Sequence, residues 1–151
     1  MKQELPEPML LAFAQAEAAG GRGEVPVGAV IVSPTGEILA SAGNRTLEDK
    51  DPTAHAELLA IRAAAKAMGS ERLSNCDLYV TLEPCAMCAA AISFARIRRI
   101  YFAAGDEKMG AVEHGSRFFT QPTCHHVPEV YSGIGEAKAK TLLINFFKSR
   151  R

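Results

Sequence analysis

The 151-residue sequence has no net charge, because 17 lysines and arginines balance 17 aspartates and glutamates. This balance argues against a strongly basic nucleic-acid-binding protein. No apolar run approaches the ~20 residues that a membrane-spanning helix needs. The N-terminal segment 1–8 is acidic and contains proline, so it lacks the basic and then apolar form of a secretion signal. We therefore expect a cytoplasmic protein without a membrane association.

The sequence also lacks internal repeats, low-complexity tracts and linkers, which predicts a single domain over residues 1–151. Its basic residues are nevertheless unevenly distributed. One cluster contains Arg96, Arg98 and Arg99, and the C-terminal segment 136–151 has five basic residues against one glutamate. Such local clusters attract phosphates even when the total charge is neutral. The alternative is a solvated helix face with a charged tail.

Only four cysteines are present. In a reducing compartment they are not expected to form structural disulfides. Cys85 and Cys88 are three residues apart, a spacing typical of metal binding or redox chemistry. Cys76 and Cys124 have no close cysteine neighbour and are expected to be ordinary buried or half-buried thiols.

Hydrophobic periodicity and turn residues predict an α/β fold. Crossover helices between successive strands predict a mostly parallel sheet with helices on both faces. The opening hairpin makes one edge antiparallel, so the sheet is expected to be mixed. Leu58, Ile61, Ala65 and Met68 form the apolar stripe of the predicted second helix, which is expected to face the core. The expected elements are a helix ending at 20–21, strands 27–32 and 37–41, a helix over 52–69, strand 78–82, a helix over 85–94, strand 99–103, an edge strand 127–131 and a helix over 136–148.

The most informative pattern is His55-Ala-Glu57 followed by Pro84-Cys85-Ala-Met-Cys88. At ~100° per residue, Cys85 and Cys88 lie on one face of a helix, so both sulfurs can reach one ion. A helix N-terminus favours the thiolate form that Zn²⁺ binds. If the helix that starts near His55 converges on the same edge of the sheet, one nitrogen and two sulfurs meet there.

Three protein ligands leave one tetrahedral position open, which is typical of a catalytic zinc. A structural zinc would need a fourth ligand, for which no candidate follows a recognisable spacing; the candidates are Cys76, His114, Cys124, His125 and His126. A dithiol redox motif remains a further alternative, but it leaves His55 and Glu57 unexplained. Zinc lowers the pKa of a bound water to ~7 and so provides hydroxide. Glu57 is the candidate that moves protons during the reaction.

The His-Ala-Glu and Pro-Cys-x-x-Cys segments resemble the signature of the zinc-dependent nucleobase deaminases. The stretches 51–57 and 78–88, together with Asn44-Arg45, are similar to the tRNA adenosine deaminases of this group. The resemblance implies a three-layer α/β/α fold with a central five-stranded sheet, as in cytidine deaminases, and one Zn²⁺ per subunit. It further implies deamination of the wobble adenosine in the anticodon loop of an arginine tRNA, and a homodimer whose shared surface can include the cluster of Arg96, Arg98 and Arg99.

The same resemblance implies several substrate contacts. Asn44 corresponds to a residue that hydrogen-bonds the flipped-out base, although an asparagine there also suits a turn at a hairpin end. Asp106 and Lys108 correspond to positions near the RNA backbone, and Phe147 and Arg150 to residues that stack on or hold the anticodon loop. Each of these can also be an ordinary solvated side chain. Segment 111–114 is longer than the family pattern.

Two other functions are compatible with the motifs. A free-base deaminase, such as a guanine deaminase, would use the same zinc chemistry but would not need the basic C-terminus with Phe146 and Phe147. A zinc-containing RNA-binding relative without catalysis would be expected to lack Glu57, which is present.

Overall fold

A computed structural model of the protein describes residues 4–150. Residues 1–3 and 151, which include the start of the N-terminal segment and the last basic residue, Arg151, lie outside the described residues. In chain order the elements are α1 (Glu7–Gly21), β1 (Gly28–Val32), β2 (Ile38–Gly43), α2 (Ala56–Met68), β3 (Asp77–Leu82), α3 (Ala86–Phe94), β4 (Arg99–Ala104), a short 3-10 helix (Phe118–Thr120), β5 (Glu129–Ser132) and α4 (Glu136–Lys148).

The five strands form one sheet in the order β2-β1-β3-β4-β5. Strand β1 is antiparallel to both of its neighbours, whereas β3, β4 and β5 pair in parallel. Four of the five strands therefore run in the same direction. The opening hairpin occupies one edge and β5 the other, which confirms the predicted mixed, mostly parallel sheet.

Helices cover both faces of the sheet and complete three layers. On one face, α2 and α3 contribute Ala60 and Ile92 to a core that includes Ile31 and Leu78. On the other face, α1 and α4 pack over a second cluster of residues, which includes Phe13 and Ala139. The predicted α/β/α architecture is confirmed.

The buried stripe of α2 differs from the prediction. Its buried residues are Ala56, Glu57, Ala60 and Ala64. The predicted stripe is at the margin instead: Leu58, Ile61 and Ala65 are half-buried and Met68 is 40% exposed. Small alanine side chains allow the helix backbone to lie close to the sheet, and this rotates the larger residues toward the edge of the contact.

Two elements begin two or more residues later than predicted. Helix α2 begins at Ala56 and not near residue 52, because the Asp51 carboxylate accepts hydrogen bonds from the N–H and hydroxyl of Thr53 and holds that segment in a turn. Strand β5 begins at Glu129, directly after Pro128, which has no N–H to donate to a ladder. Within residues 4–150, no helix has both the length and the apolar composition to cross a bilayer.

Candidate metal centre and active site

The N-termini of α2 and α3 meet beyond the C-terminal end of β3. His55 is the N-cap residue of α2, and Cys85 is the N-cap residue of α3, both with extended backbones. Cys88 lies one turn into α3 and is fully buried. Because β3 ends at Leu82, only Glu83 and Pro84 separate the strand from the first cysteine. The predicted convergence of the two helix starts is therefore present in the structure.

His55, Cys85 and Cys88 form a compact group of potential metal ligands. The His55 Nδ1 lies 3.7 Å from the Cys85 Sγ and 3.6 Å from the Cys88 Sγ. All three ligand atoms lie within 4.8 Å of one another. Tetrahedral Zn²⁺, with bonds of ~2.0 Å to nitrogen and ~2.3 Å to sulfur, separates such atoms by ~3.6 Å. The donor set and its spacing therefore fit Zn²⁺.

A fourth protein ligand is absent from this group within the described residues 4–150. Several of the alternative candidates have other partners. His114 contacts Glu83, His126 Nε2 lies 2.7 Å from the Ile97 carbonyl oxygen, and the Cys76 thiol faces the Met68 sulfur. Three ligands with one open position are typical of a catalytic metal site.

The two thiols have opposite acidities. A hydrogen bond from Cys88, together with contact to His55, lowers the pKa of Cys85 to about 4. The same hydrogen bond, with burial, raises the pKa of Cys88. Cys85 is therefore the more acidic of the two thiols. Both sulfurs would be deprotonated when they hold a divalent cation, since a coordinating thiol is deprotonated.

Glu57 lies in the first turn of α2, two residues after His55, and is only 4% exposed. Burial is the main cause that raises its pKa to about 7, and the negative charge at Cys85 adds to the effect. Hydrogen bonding to its own backbone N–H and the proximity of His55 oppose the shift. A carboxyl group with this pKa can take up and release a proton near neutral pH.

Asn44 connects the metal centre to the loop that precedes β1. Its Oδ1 accepts a hydrogen bond from the N–H of Ala56 at 2.8 Å, and its Nδ2 donates to the Val25 carbonyl at 3.1 Å. The sequence suggested either a base contact or a turn residue. The structure adds a role that neither suggestion contained, namely capping of the helix that follows His55.

The roles of two buried carboxylates, those of Glu24 and Glu83, were not predicted from the sequence. Glu24 accepts hydrogen bonds from Thr46, Leu47 and Glu48, and Glu83 holds the segment that follows β4. The position of Glu83, a charged residue directly at the end of an apolar strand, was the sequence feature that could have indicated its role.

Asp106, predicted near the substrate, uses its carboxylate to accept hydrogen bonds from the N–H groups of Lys108 and Met109.

A surface cavity of about 540 Å³ lies between the C-terminal helix and the loops before β1 and after β2. The Arg150 guanidinium lies 4.1 Å from the centroid of the Phe146 ring. Phe147 does not line this cavity and is 52% exposed. The lining residues are Gly23, Glu24, Val25, Thr46, Leu47, Phe146 and Arg150.

The basic cluster that follows α3 lies away from the metal centre. Arg98 and Arg99 are at the N-terminal end of β4, opposite the end where the ligands converge. Arg98 pairs with Asp77 at 3.1 Å and Arg99 with Glu129 at 3.3 Å. Two of its three cations are thus partly neutralised by neighbouring carboxylates.

Comparison with known proteins identifies the family. Residues 2–104 match the cytidine and deoxycytidylate deaminase zinc-binding region. The chain belongs to this zinc-dependent deaminase family. The tRNA-specific adenosine deaminase of Agrobacterium fabrum is 59% identical over 143 residues, which cover 95% of this chain and 93% of that protein. The protein is therefore a zinc-dependent deaminase of the tRNA adenosine deaminase branch.

Solved structures of the family agree with this assignment. A structure from a study of A-to-I editing by tRNA:A34 deaminases at the wobble position is 60% identical, with a TM-score of 0.88 and coverage of 90% of this chain and 98% of that one. A guanine deaminase from Bacillus subtilis is 35% identical, with a TM-score of 0.65 and coverage of 87% and 85%. In both sequence and backbone, this deaminase is thus less similar to the guanine deaminase than to the structure from the tRNA:A34 deaminase study.

Proposed function

We propose that the protein deaminates the wobble adenosine to inosine in the anticodon loop of an arginine tRNA. His55, Cys85 and Cys88 hold one Zn²⁺ per subunit in this proposal, and Glu57 moves the protons. The observation that carries it is the tetrahedral spacing of the three ligand atoms beside the buried Glu57. The similarity to tRNA-specific adenosine deaminases supports the choice of substrate.

When bound, Zn²⁺ supplies a water activated near neutral pH. The remaining chemistry belongs to the chain. Glu57 takes one proton from the attacking water and passes it to the ring nitrogen. It then takes the second proton from the hydroxyl that has added to the ring carbon and passes it to the amino group, which leaves as ammonia. Its burial and its pKa of about 7 suit both acceptance and donation. The product is inosine, in which a carbonyl oxygen from water replaces the amino group.

Asn44 contacts the target base in this proposal while it also caps α2. Its Nδ2 has two hydrogens, and the Val25 carbonyl accepts one of them. The other is available to an acceptor on the base. The amide therefore links the position of the base to the start of the helix that follows His55.

The surface around the cavity supports an RNA substrate. An exposed arginine against an aromatic ring, as in Arg150 over Phe146, matches the stacking and cationic contacts that unstacked bases and phosphates require. We propose that Arg150 and Phe147 contact the anticodon loop from the C-terminal helix. Asp106 and Lys108 contact its backbone from the segment after β4.

The decisive experiment uses the zinc-loaded protein and an arginine tRNA anticodon stem-loop. We expect inosine at the wobble position, no reaction with the same stem-loop carrying guanosine there, and no turnover of free guanine. Guanine turnover without inosine would retain the zinc chemistry but replace the substrate by the free base that the Bacillus subtilis relative is named for. Absence of both products would contradict the proposed function.

We further propose a cytoplasmic homodimer, as the family resemblance implies. Phe94, at the end of the helix that carries Cys88, is 78% exposed, and Met109 is 68% exposed. Burial of these two apolar side chains against a second subunit would favour association. Light scattering should give twice the chain mass, and Phe94→Glu should shift it toward the monomer. A wild-type mass of one chain would contradict the dimer.

A further inference from the structure

The carboxylate of Glu83 has an unusual number of hydrogen bonds for a residue without a role in the proposed chemistry. Its side chain is fully buried. One oxygen accepts the N–H of Asp106 at 2.9 Å and contacts the Nδ1 of His114 at 2.6 Å. The other oxygen accepts three successive backbone N–H groups, from Val112, Glu113 and His114, at 2.9–3.1 Å. Five groups of one segment thus converge on one side chain.

We propose that Glu83 is a positioning residue that holds segment 106–114 against the cysteine turn, and that His114 completes this contact with its side chain. The consequence is a fixed presentation of Asp106 and Lys108 to the RNA. The inference rests on the proposed function for its substrate, because these two residues are expected to contact the RNA backbone.

The backbone around Glu83 shows how closely the two segments are joined. Cys85 and Gly110 form an isolated antiparallel bridge, and the N–H of Ala111 donates to the Pro84 carbonyl at 2.9 Å. A Cβ at Gly110 would lie 2.5 Å from the Glu83 carboxyl carbon and 2.4 Å from the Asp106 carbonyl oxygen. Only glycine fits there, so the segment wraps directly around the carboxylate.

The charge of Glu83 suits this role. Four backbone N–H groups of segment 106–114 donate to its two oxygens, and such donors favour a carboxylate over a carboxylic acid. The buried group is therefore an anion that is compensated by backbone N–H groups, in the manner of an anion-binding nest. A glutamine at this position would place an NH₂ group, itself a donor, opposite some of these N–H donors, so those hydrogen bonds would be lost.

His114 is the only residue of segment 106–114 whose side chain contacts the Glu83 carboxylate. It is 35% exposed, so its replacement leaves no large cavity. Its backbone N–H would still donate to Glu83 after substitution. Variants of His114 therefore test the side-chain contact without a threat to the fold.

Hydrogen bonds within segment 106–114 also depend on the position of Glu83. The Asp106 carboxylate accepts the N–H groups of Lys108 and Met109, while the Asp106 N–H itself is bound by Glu83. Displacement of the Asp106 backbone would therefore move Lys108 as well. The chain of contacts runs from Glu83 through Asp106 to the residues that are expected to face the RNA.

The test compares zinc-loaded wild type with His114→Ala, His114→Asn and the control Ser116→Ala, an exposed site two residues after His114. We expect His114→Ala to raise the KM for the stem-loop about tenfold, as for loss of a hydrogen bond to a charged group, with kcat within twofold and zinc unchanged. Asn can donate from a similar position, so His114→Asn should restore KM to within threefold. Ser116→Ala should match the wild type.

A second measurement needs no RNA. Hydrogen exchange of the amides 112–114 should be faster in His114→Ala, and faster again in Glu83→Gln if that variant folds. An unchanged KM and unchanged exchange in His114→Ala would overturn the proposal. If His114→Ala lost zinc in proportion to its loss of activity, the proposal would also be overturned. Glu83 would then support the metal ligands instead of segment 106–114. If the wild type does not deaminate the stem-loop, the proposed function fails, and the exchange rates decide the positioning role separately.

Discussion

The side-chain oxygen of Asn44 accepts a hydrogen bond from the backbone N–H of Ala56, the first residue of α2, at 2.8 Å. His55, the N-cap residue of that helix, makes no capping hydrogen bond with its own side chain. A helix start leaves backbone N–H groups without intrahelical partners. Asn44 supplies the missing acceptor from the end of β2, and this leaves the His55 imidazole available for the metal centre.

Replacement of Asn44 by alanine should therefore destabilise the fold as well as weaken substrate binding. Loss of a capping side chain costs about 1–2 kcal/mol, and the bond to Val25 is lost too. We expect the free energy of unfolding of the zinc-loaded protein to fall by about this amount in denaturant titrations. Gln15→Ala removes one exposed hydrogen bond, to Ser41, and serves as the control, with a change within about 0.5 kcal/mol. Equal stability of wild type and Asn44→Ala would contradict the capping role.

Glu57→Gln should separate proton transfer from metal binding. The substitution keeps the shape of the buried side chain but removes its ability to exchange protons. We expect one zinc per chain, measured by metal analysis, and a fall in kcat of about 10²–10⁴-fold. Glu17→Gln, on the exposed side of α1, is the matched control and should retain full activity. Loss of the metal in Glu57→Gln would instead make Glu57 a ligand.

The sequence predicted the fold and the grouping of His55 with Cys85 and Cys88, because both depend on strong local patterns. Strand runs, turn residues and the helix-ending glycines placed the elements, and α4 was predicted with its observed bounds over 136–148. Cys85, the extended N-cap residue of α3, and Cys88, in the first turn of that helix, are brought together by local geometry within three residues. Their meeting with His55 followed from the expected convergence of two helix starts at one edge of the sheet.

The parts that the sequence did not predict depend on contacts between distant segments. Burial of Ala60 and Ala64 instead of Leu58 and Met68 reflects the close approach of α2 to the sheet, which periodicity alone cannot show. The role of Glu83 likewise requires partners 23–31 residues later in the chain. Resemblance to the family placed the RNA contacts of the last helix on Phe147 and Arg150, whereas the cavity is lined by Phe146 and Arg150. The contact of Phe147 with RNA stays a prediction.

Gly28→Ala should be strongly destabilising. An added Cβ at Gly28 would lie 1.8 Å from the Ala12 carbonyl oxygen and 2.7 Å from the Ala16 N, both in the backbone of α1. The helix would have to move off β1, so we expect a loss of about 3 kcal/mol or more in the free energy of unfolding. Gly21→Ala is the control, because nothing lies within 4 Å of its added Cβ. Similar melting temperatures of the two variants would contradict this packing.

Glu24 should make stability depend on pH. It is 2% exposed; burial would raise its pKa, but hydrogen bonds from the N–H groups of Glu48 and Leu47 prevail and lower it from 4.5. A carboxyl whose folded pKa is depressed stabilises the fold above its unfolded pKa, and this contribution disappears as the pH falls through the folded value. The melting-temperature difference between wild type and Glu24→Gln should therefore be constant from pH 7 to about pH 5.5 and shrink below pH 4.5. A constant difference down to pH 3 would show that Glu24 does not titrate with folding.

Arg150 and Phe146 should both contribute to RNA binding, and the salt dependence of the binding constant should distinguish their contributions. Each phosphate contact on a single strand adds about 0.7 to the slope of log K against log salt concentration. We expect Arg150→Ala to weaken stem-loop binding and to reduce that slope by about this amount. Phe146→Ala should weaken binding with the slope unchanged, because stacking releases no counterions.

Two comparisons decide whether these effects arise from direct contact. Arg72→Ala removes a cation from the exposed turn after α2 and should leave both affinity and slope unchanged. Since the Arg150 guanidinium also packs on the Phe146 ring, Arg150→Lys keeps the charge but loses the planar stacking, and it should retain the wild-type slope with reduced affinity. Fluorescence anisotropy from 50 to 200 mM salt measures all five proteins. An unchanged slope in Arg150→Ala would mean that Arg150 orders the Phe146 ring and contacts no phosphate.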